Sequence, residues 1–183
     1  QLAEAVLEAA VRLRSGSKVW DAEPFSDTGG APRIYAETPL YLRSTNQEST
    51  FRRGDKTWTK LQHALGEEPP SDELVLERTT KTGRALHVHL RRWNDKMWRS
   101  KKGHNMHDKP LDILSVEARD AQSGSALFKN PLWLGMTGIR KDEVATEMFY
   151  ESYSCRYGIE PAFRLEKQHL MLEKYQPLNV QHF

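Results

Sequence analysis

The chain has 183 residues, of which 38% are hydrophobic and 28% are charged, which is enough for one domain with a buried core. This composition argues against disorder along the whole chain, and no apolar run approaches the ~18 residues that a membrane span requires. The formal net charge of +2 permits a polyanionic partner without requiring one. Cys155 is the only cysteine, so an intrachain disulfide is excluded and a reducing compartment is the simplest expectation.

The opening residues predict a helix without its capping residue. Residues 2–9 have helical character, yet no Ser, Thr, Asp or Asn precedes them. The chain opens on Gln1 and lacks the basic and apolar segments of a signal peptide. We therefore expect the chain to start within a larger protein, so that part of any site lies upstream.

A β-rich middle follows the opening helix. Hydrophobic alternation of period two and β-branched content predict several strands, which turn residues separate. The predicted strands are 11–14, 74–80, 84–92, 111–119 and 131–137, and residues 34–42 favour β structure but are interrupted by Pro39. The predicted loops are 21–33, 44–50, 67–72 and 93–109.

From residue 142 to about residue 174 the hydrophobic period lengthens to about 3.6, which predicts helix. On one helix at about 100° per residue, four polar side chains share an arc of about 60°. They are Tyr153, Arg156, Glu160 and Lys167. A carboxylate beside two cations and a phenol suits a site that holds Mg²⁺ and a phosphate backbone.

Two features of this row leave alternatives open. Charged rows are also typical of a solvated helix face with i,i+4 ion pairs, and spacing alone does not separate the two interpretations. Pro161 disfavours helical geometry at Glu160, so the helix either kinks there or starts anew at Glu160. In the second case the shared face extends only from Glu160 to Lys167.

The pattern Tyr153-x2-Arg156-x3-Glu160-x6-Lys167 resembles the Y-R-E-K signature of bacterial insertion-sequence DDE transposases. The residues around it, 153–168, resemble the "Y..R..IE..FR..KQ" stretch of that family.

The flanking strands are similar to the family in the same order. Residues 131–134 resemble the last strand before the catalytic helix, and residues 11–14 resemble the arginine-bearing strand that precedes its insertion. The specific likeness covers about residues 130–172, whereas the middle is similar only as a β-rich insertion.

The resemblance implies an α/β fold with a ribonuclease-H-like catalytic core, of which this chain holds the C-terminal part. In that fold a mixed sheet is flanked by helices, and a β-rich insertion precedes the catalytic helix. Residues 1–20 are then the end of the core and residues 21–130 the insertion. Residues 131–183 contain the final core strand and the catalytic C-terminal helices.

The resemblance also implies the chemistry. Three carboxylates, two Asp and one Glu, hold two Mg²⁺ ions for in-line attack on a DNA phosphodiester, and Glu160 stands at the Glu position as catalytic residue and metal ligand. The predicted DNA-binding residues of the same stretch are Tyr153, Arg156, Arg164 and Lys167. The complete protein is expected to cleave and transfer DNA strands.

The expected partners are double-stranded DNA, as transposon ends and as target, and further copies of the protein assembled on it. A membrane partner is not expected. The resemblance implies the bacterial cytoplasm, in association with the nucleoid.

The carboxylate set of this chain departs from the family. Both catalytic Asp residues of the family lie upstream of the arginine-bearing strand, which here begins about ten residues from the N-terminus. Asp21 and Asp27 follow that strand and are poor candidates for the pair. We therefore expect the isolated chain not to cut DNA.

An aromatic and basic cluster in the middle of the chain suits DNA contact through phosphates and base stacking. Its predicted DNA-binding members are Trp98, Lys101 and Lys102, with Trp93 and the arginines 91, 92 and 99 nearby. A pair of core tryptophans with solvated cations explains the same pattern equally well. A second, weaker cluster contains Arg52, Arg53, Lys56 and Trp58.

Two other hypotheses remain at this point. His87 and His89 share a strand face and, with His104 and His107, suggest zinc, although no cysteine pair supports it. The alternative function is a non-catalytic, basic nucleic-acid-binding module derived from a decayed or domesticated transposase.

Overall fold

A computed structural model describes residues 9–22, 36, 38–98 and 110–154. The chain divides into two compact units, Gln1–Tyr150 and Glu151–Phe183, and every strand of the described residues belongs to the first unit. The described residues form a mixed α/β structure, mostly β-sheet with one helix. The strands in chain order are β1 (Ala9–Leu13), β2 (Lys18–Val19), β3 (Leu40–Tyr41), β4 (Gln47–Arg53), β5 (Lys56–Ala64), β6 (Asp72–Thr79), β7 (Ala85–Lys96), β8 (Leu111–Asp120) and β9 (Leu132–Thr137).

Five strands form the larger sheet in the order β1-β9-β8-β7-β6, with antiparallel pairing throughout. β8 lies in the centre and is buried from Leu111 to Val116, which fits a strand covered on both faces. β1, from the predicted core, and β9 share this sheet with β6 to β8 of the predicted insertion. The predicted domain boundaries remain a prediction, but the hydrogen-bonded sheet runs across them.

Four strands form the smaller sheet in the order β2-β3-β5-β4. β3 and β5 are parallel, whereas β2 with β3 and β4 with β5 are antiparallel. Apolar side chains from both sheets form one buried cluster, in which the rings of Trp93 and Trp133 lie 5.8 Å apart. Its buried members are Val19, Leu40, Leu42, Leu65, Trp93, Leu111, Ile113 and Trp133.

The helix α1 begins at residue 146 and is described as far as residue 154. A 3₁₀ turn, Lys141–Glu143, precedes it, so the helix starts four residues after the predicted position of 142. No helix in the described part of the chain combines the length and apolar character that crossing a bilayer takes.

Most of the predicted strands are confirmed, and two predicted loops are wrong over part of their length. The strands predicted at 74–80, 84–92, 111–119 and 131–137 correspond to β6, β7, β8 and β9. β4 begins at Gln47, inside a predicted loop, and β7 extends to Lys96, inside another. Polar side chains in these stretches remove the alternation signal although the backbone pairs normally. The predicted opening helix lies outside the described residues except for Ala9, which begins strand β1.

The turn after β8 is organised by one carboxylate. The Asp120 side chain accepts hydrogen bonds from the backbone N–H groups of Ser123 (2.7 Å) and Gln122 (3.0 Å), and the Arg84 guanidinium donates a third at 2.6 Å. The Ser123 backbone N–H, followed by Arg84 and the Ser123 hydroxyl, holds the pKa of Asp120 well below its usual range.

Replacing Asp120 by Asn is expected to lower Tm near pH 7. A carboxyl whose folded-state pKa is depressed stabilises the fold above its unfolded pKa of ~3.9, and this stabilisation disappears as pH falls through the folded value. The Tm difference between wild type and Asp120→Asn should therefore shrink below about pH 4, as thermal unfolding across pH would measure. Asp55→Asn, which removes a charge from the β4–β5 turn, is the control, and a pH-independent difference would contradict the prediction.

Candidate functional site

Side chains join the start of α1 to the larger sheet. The hydroxyl of Thr146 donates to Asp72 Oδ2 at 2.5 Å, and Arg78 of β6 donates to Glu147 at 3.0 Å. Thr146 is buried. β6 supplies both partners, so these contacts join the first residues of the helix to the edge strand of the sheet.

A fully buried carboxylate contacts the segment that precedes α1. Asp112 of β8 is 0% exposed, and both of its oxygens accept hydrogen bonds. Oδ1 accepts from the Asp95 backbone N–H at 3.1 Å and from Lys141 Nζ at 3.0 Å. Oδ2 accepts from Nε of Arg92 at 3.0 Å and from Nη2 of the same guanidinium. A buried charge with this many partners is satisfied where it lies.

Arg92 of β7 connects this carboxylate to the backbone before α1. Its Nη2 donates to the Lys141 carbonyl at 2.9 Å, and its Nη1 donates to the Val144 carbonyl. The guanidinium thus holds β8 and residues 141–144 together. We call Arg92, Asp112 and Lys141 the buried ion network.

Three carboxylates surround the Lys141 ammonium. Its Nζ lies 2.6 Å from Asp95, 2.7 Å from Asp142 and 3.0 Å from Asp112. Burial alone would lower the pKa of Lys141, but hydrogen bonds to Asp142, Asp95 and Asp112 outweigh it and raise that pKa. The side chain therefore carries its charge at any physiological pH.

The carboxylates of Asp95, Asp112 and Asp142 lie within 4.8 Å of one another, as in a cation site. The donor chemistry does not fit a second cation, because the Lys141 ammonium already lies among the three oxygens and Arg92 neutralises Asp112 as well. We assign no metal to this cluster. The prediction of Mg²⁺ rests instead on Glu160, which lies outside the described residues.

Of the predicted site residues, two are described. Tyr153 lies on α1 and is 4% exposed. Trp98 follows β7, is partly buried and packs against the apolar cluster. The predicted positions outside the described residues are Lys101, Lys102, Arg156, Glu160, Arg164 and Lys167. The DNA-binding roles of these residues remain predictions, as does the catalytic role of Glu160.

Two members of the predicted aromatic and basic cluster, Trp93 and Arg92, are buried and not on the surface. Trp93 is 1% exposed, and its indole N–H donates to the Glu68 carbonyl at 3.1 Å. Arg92 is buried in the ion network. Both side chains are buried, so neither presents a solvent-facing surface to DNA. Trp93 fits the core alternative, whereas Arg92 is buried and not solvated as that alternative expected.

The face of β7 that carries His87 and His89 has carboxylates opposite its basic side chains. The register places His87 opposite Glu77 and His89 opposite Glu117, and Arg91 forms an ion pair with Glu117 at 3.0 Å. The face therefore carries alternating charge. The other two histidines of the zinc hypothesis, at 104 and 107, lie outside the described residues.

A shallow cavity of about 630 Å³ lies over this face. It is lined by residues of β6, β7 and β8 and by the segment before β9, including the exposed ring of Phe128 and the Lys129 side chain. Glu73 and Glu117 lie in the same wall as Arg91 and Arg119. Since these charges largely offset one another, the cavity has no strong preference for an anion.

Sequence reasoning does not find the buried ion network. The residue pattern presents Arg92 as a surface cation and Asp112 as part of an ordinary strand, and it gives Lys141 no role. One signal is available: Asp112 is a charged residue within the apolar run of β8, and such a residue needs a buried partner. Comparison with family models, curated proteins and solved structures finds no match for this chain.

Proposed function

We propose that this chain is the C-terminal part of the catalytic domain of a DDE transposase with a ribonuclease-H-like core. The observation that carries the proposal is the signature Tyr153-x2-Arg156-x3-Glu160-x6-Lys167. Supporting it, strand β9 comes before helix α1, which contains Tyr153, in the order that the resemblance implies. The buried ion network adds a physical reason for accurate placement of the start of α1.

The proposed roles follow from the residue types. The Glu160 carboxylate and two upstream aspartates would hold two Mg²⁺ ions, which would supply Lewis-acid stabilisation of the attacking and leaving oxygens. Arg156, Arg164 and Lys167 neutralise DNA phosphates. Tyr153 positions the DNA end, either by a hydrogen bond from its hydroxyl or by packing that orients its neighbours.

The test compares the isolated chain with the longer protein in which the proposal places it. The 183-residue chain is expected to bind duplex DNA without cutting it, whereas the longer protein nicks transposon-end DNA in the presence of Mg²⁺. Gel analysis of end-labelled duplex measures both. Mg²⁺-dependent nicking by the chain alone would refute the expectation that two carboxylates are missing.

A non-catalytic nucleic-acid-binding module is the second candidate, favoured by the cluster of Arg52, Arg53 and Lys56 beside the exposed Trp58. The two candidates differ in the upstream sequence. Aspartates at the ends of two upstream strands favour the transposase, and their absence favours the module.

A further inference from the structure

The β4–β5 hairpin is an arm that most of the protein does not cover. β4 and β5 pair without interruption from Gln47↔Gln62 to Arg53↔Lys56. β3 joins β5 only at His63 and Ala64, so among the described residues the preceding part of β5 pairs with β4 alone. Nearly all residues of both strands are exposed. Seven paired positions extend over about 24 Å.

The base of this arm is held firmly. The Ala64 backbone N–H donates to Asn46 Oδ1 at 2.7 Å, and Arg43 Nη1 donates to Gln62 Oε1 at 3.0 Å. Gly66 donates to the Arg43 carbonyl at 3.0 Å, and a Cβ at this glycine would lie 2.7 Å from the Ser44 Cα. At the tip, Gly54 has a φ of +62° in the first central position of the turn, as a tight II′ hairpin turn requires.

The two faces of the arm have different chemistry. Residues directly opposite each other in an antiparallel pair share a face, and successive pairs alternate. One face therefore carries the pairs Arg53/Lys56, Phe51/Trp58 and Ser49/Lys60. We call it the basic aromatic face. The other face carries Arg52 and Leu61 with a glutamate and three threonines.

The basic aromatic face contains three cations and no carboxylate. Its two aromatic rings are half exposed, at 49% for Phe51 and 52% for Trp58. Arg43 adds a fourth cation at the base, because its guanidinium binds the Gln62 amide of the same face. Exposed rings among cations, without a facing carboxylate, suit a partner that is both anionic and able to contact apolar groups.

We infer that the β4–β5 arm binds double-stranded DNA through this face, as a two-stranded ribbon in the major groove. The inference deepens the proposed function and rests on its DNA-binding part. The B-form major groove is ~12 Å wide and admits a two-stranded ribbon. The cations reach phosphates, which follow at one charge per ~1.7 Å of duplex, while Phe51 and Trp58 contact base edges such as the thymine methyl.

Two other occupants fit less well. In a second copy of the chain the same face would place the cations of both copies against one another without a carboxylate, which like-charge repulsion disfavours. In duplex RNA the major groove is too deep and narrow for side chains to read. Single strands stack on exposed aromatic rings, but they do not need a rigid two-stranded ribbon.

The experiment uses neighbouring residues with opposite orientation. Arg53→Glu and Arg52→Glu change charge equally at adjacent positions, but Arg53 lies on the basic aromatic face and Arg52 on the other. Fluorescence anisotropy of the full chain with a duplex DNA probe measures the affinity. Arg53→Glu and Lys60→Glu are each expected to weaken binding at least ~10-fold, and Arg52→Glu less than ~3-fold.

Salt dependence and the aromatic pair give independent readouts. Arg53→Gln should reduce the slope of log affinity against log salt by about one, because one phosphate contact is lost. Trp58→Ala should weaken binding at unchanged slope, whereas Leu61→Ala on the opposite face should not weaken it. Thermal unfolding of every variant verifies that the fold persists, as expected for exposed positions.

The outcomes separate the DNA-binding role of the arm from the proposed function. Equal effects of Arg53→Glu and Arg52→Glu, or none, overturn the arm while leaving the proposed function intact. Stronger binding to single-stranded DNA, duplex RNA or anionic vesicles than to duplex DNA also overturns the assignment. Absence of any DNA binding by the wild type overturns the arm together with the DNA-binding part of the proposed function. Cleavage that does not depend on Glu160, with the arm effects retained, overturns only the transposase.

Discussion

Glu160→Gln, placed in the longer protein that the transposase proposal implies, is expected to reduce Mg²⁺-dependent DNA cleavage at least ~100-fold, equivalent to about 2.7 kcal/mol of transition-state stabilisation. The amide has the size of the carboxylate but neither its charge nor its two equivalent oxygen ligands, so it would hold the proposed metal poorly. Binding to duplex DNA should change little, since the cations of the interface remain. Single-turnover cleavage of labelled transposon-end DNA measures the rate, and anisotropy measures the affinity.

The matched control is Glu151→Gln, which removes the same charge nine residues earlier in the chain. Glu151 is exposed on α1 and has no part in the proposed chemistry, so cleavage should proceed at the wild-type rate. Equal cleavage by both variants would mean that Glu160 is an ordinary surface charge and would end the transposase proposal.

Arg92→Met is expected to destabilise the protein by about 3–5 kcal/mol, because it removes one partner of a buried pair and leaves the Asp112 carboxylate partly uncompensated. The substitution also removes the hydrogen bonds that the guanidinium donates to the Lys141 and Val144 carbonyls. Urea unfolding, followed by tryptophan fluorescence, measures the free energy of unfolding. The start of α1 should lose order first, and hydrogen exchange of residues 146–150 would report it.

Arg140→Met serves as the control, since Arg140 and Glu143 form an exposed ion pair at 2.5 Å and such pairs contribute about 0–1 kcal/mol. Asp112→Leu combined with Arg92→Met should cost less than the sum of the single changes, because their interaction is lost only once. A loss for Arg92→Met no larger than for Arg140→Met would show that the buried ion network does not hold the fold.

Strands with one apolar face are predictable from the sequence, and strands without one are not. Leu86, Val88 and Leu90 alternate with polar residues, and this period identifies β7. The β4–β5 arm is exposed along nearly its whole length, so its sequence lacks an apolar stripe. Its one available signal is the short Gly54–Asp55 turn between polar stretches.

Those parts of the candidate site that depend on residue type and local spacing are predictable from the sequence. The Tyr153–Lys167 signature can be recognised from its spacing alone, whereas the network of Arg92, Asp112 and Lys141 joins residues up to 49 positions apart. Local patterns mark Asp112 as a residue that needs a buried partner, but they do not identify which residues supply it. The later start of α1 has the same origin, because the 3₁₀ turn at Lys141–Glu143 places the Lys141 ammonium among carboxylates supplied by other strands.

The pairing of Ala9 with Thr137, which joins β1 to β9, also has a consequence for biosynthesis. Contacts so distant along the chain carry a large loop-closure cost and slow folding. During translation, β1 cannot pair with β9 until nearly the whole sheet has been synthesised. The nascent chain therefore exposes an unpaired β-edge for an extended period, and we expect it to depend on chaperones and to aggregate when they are depleted.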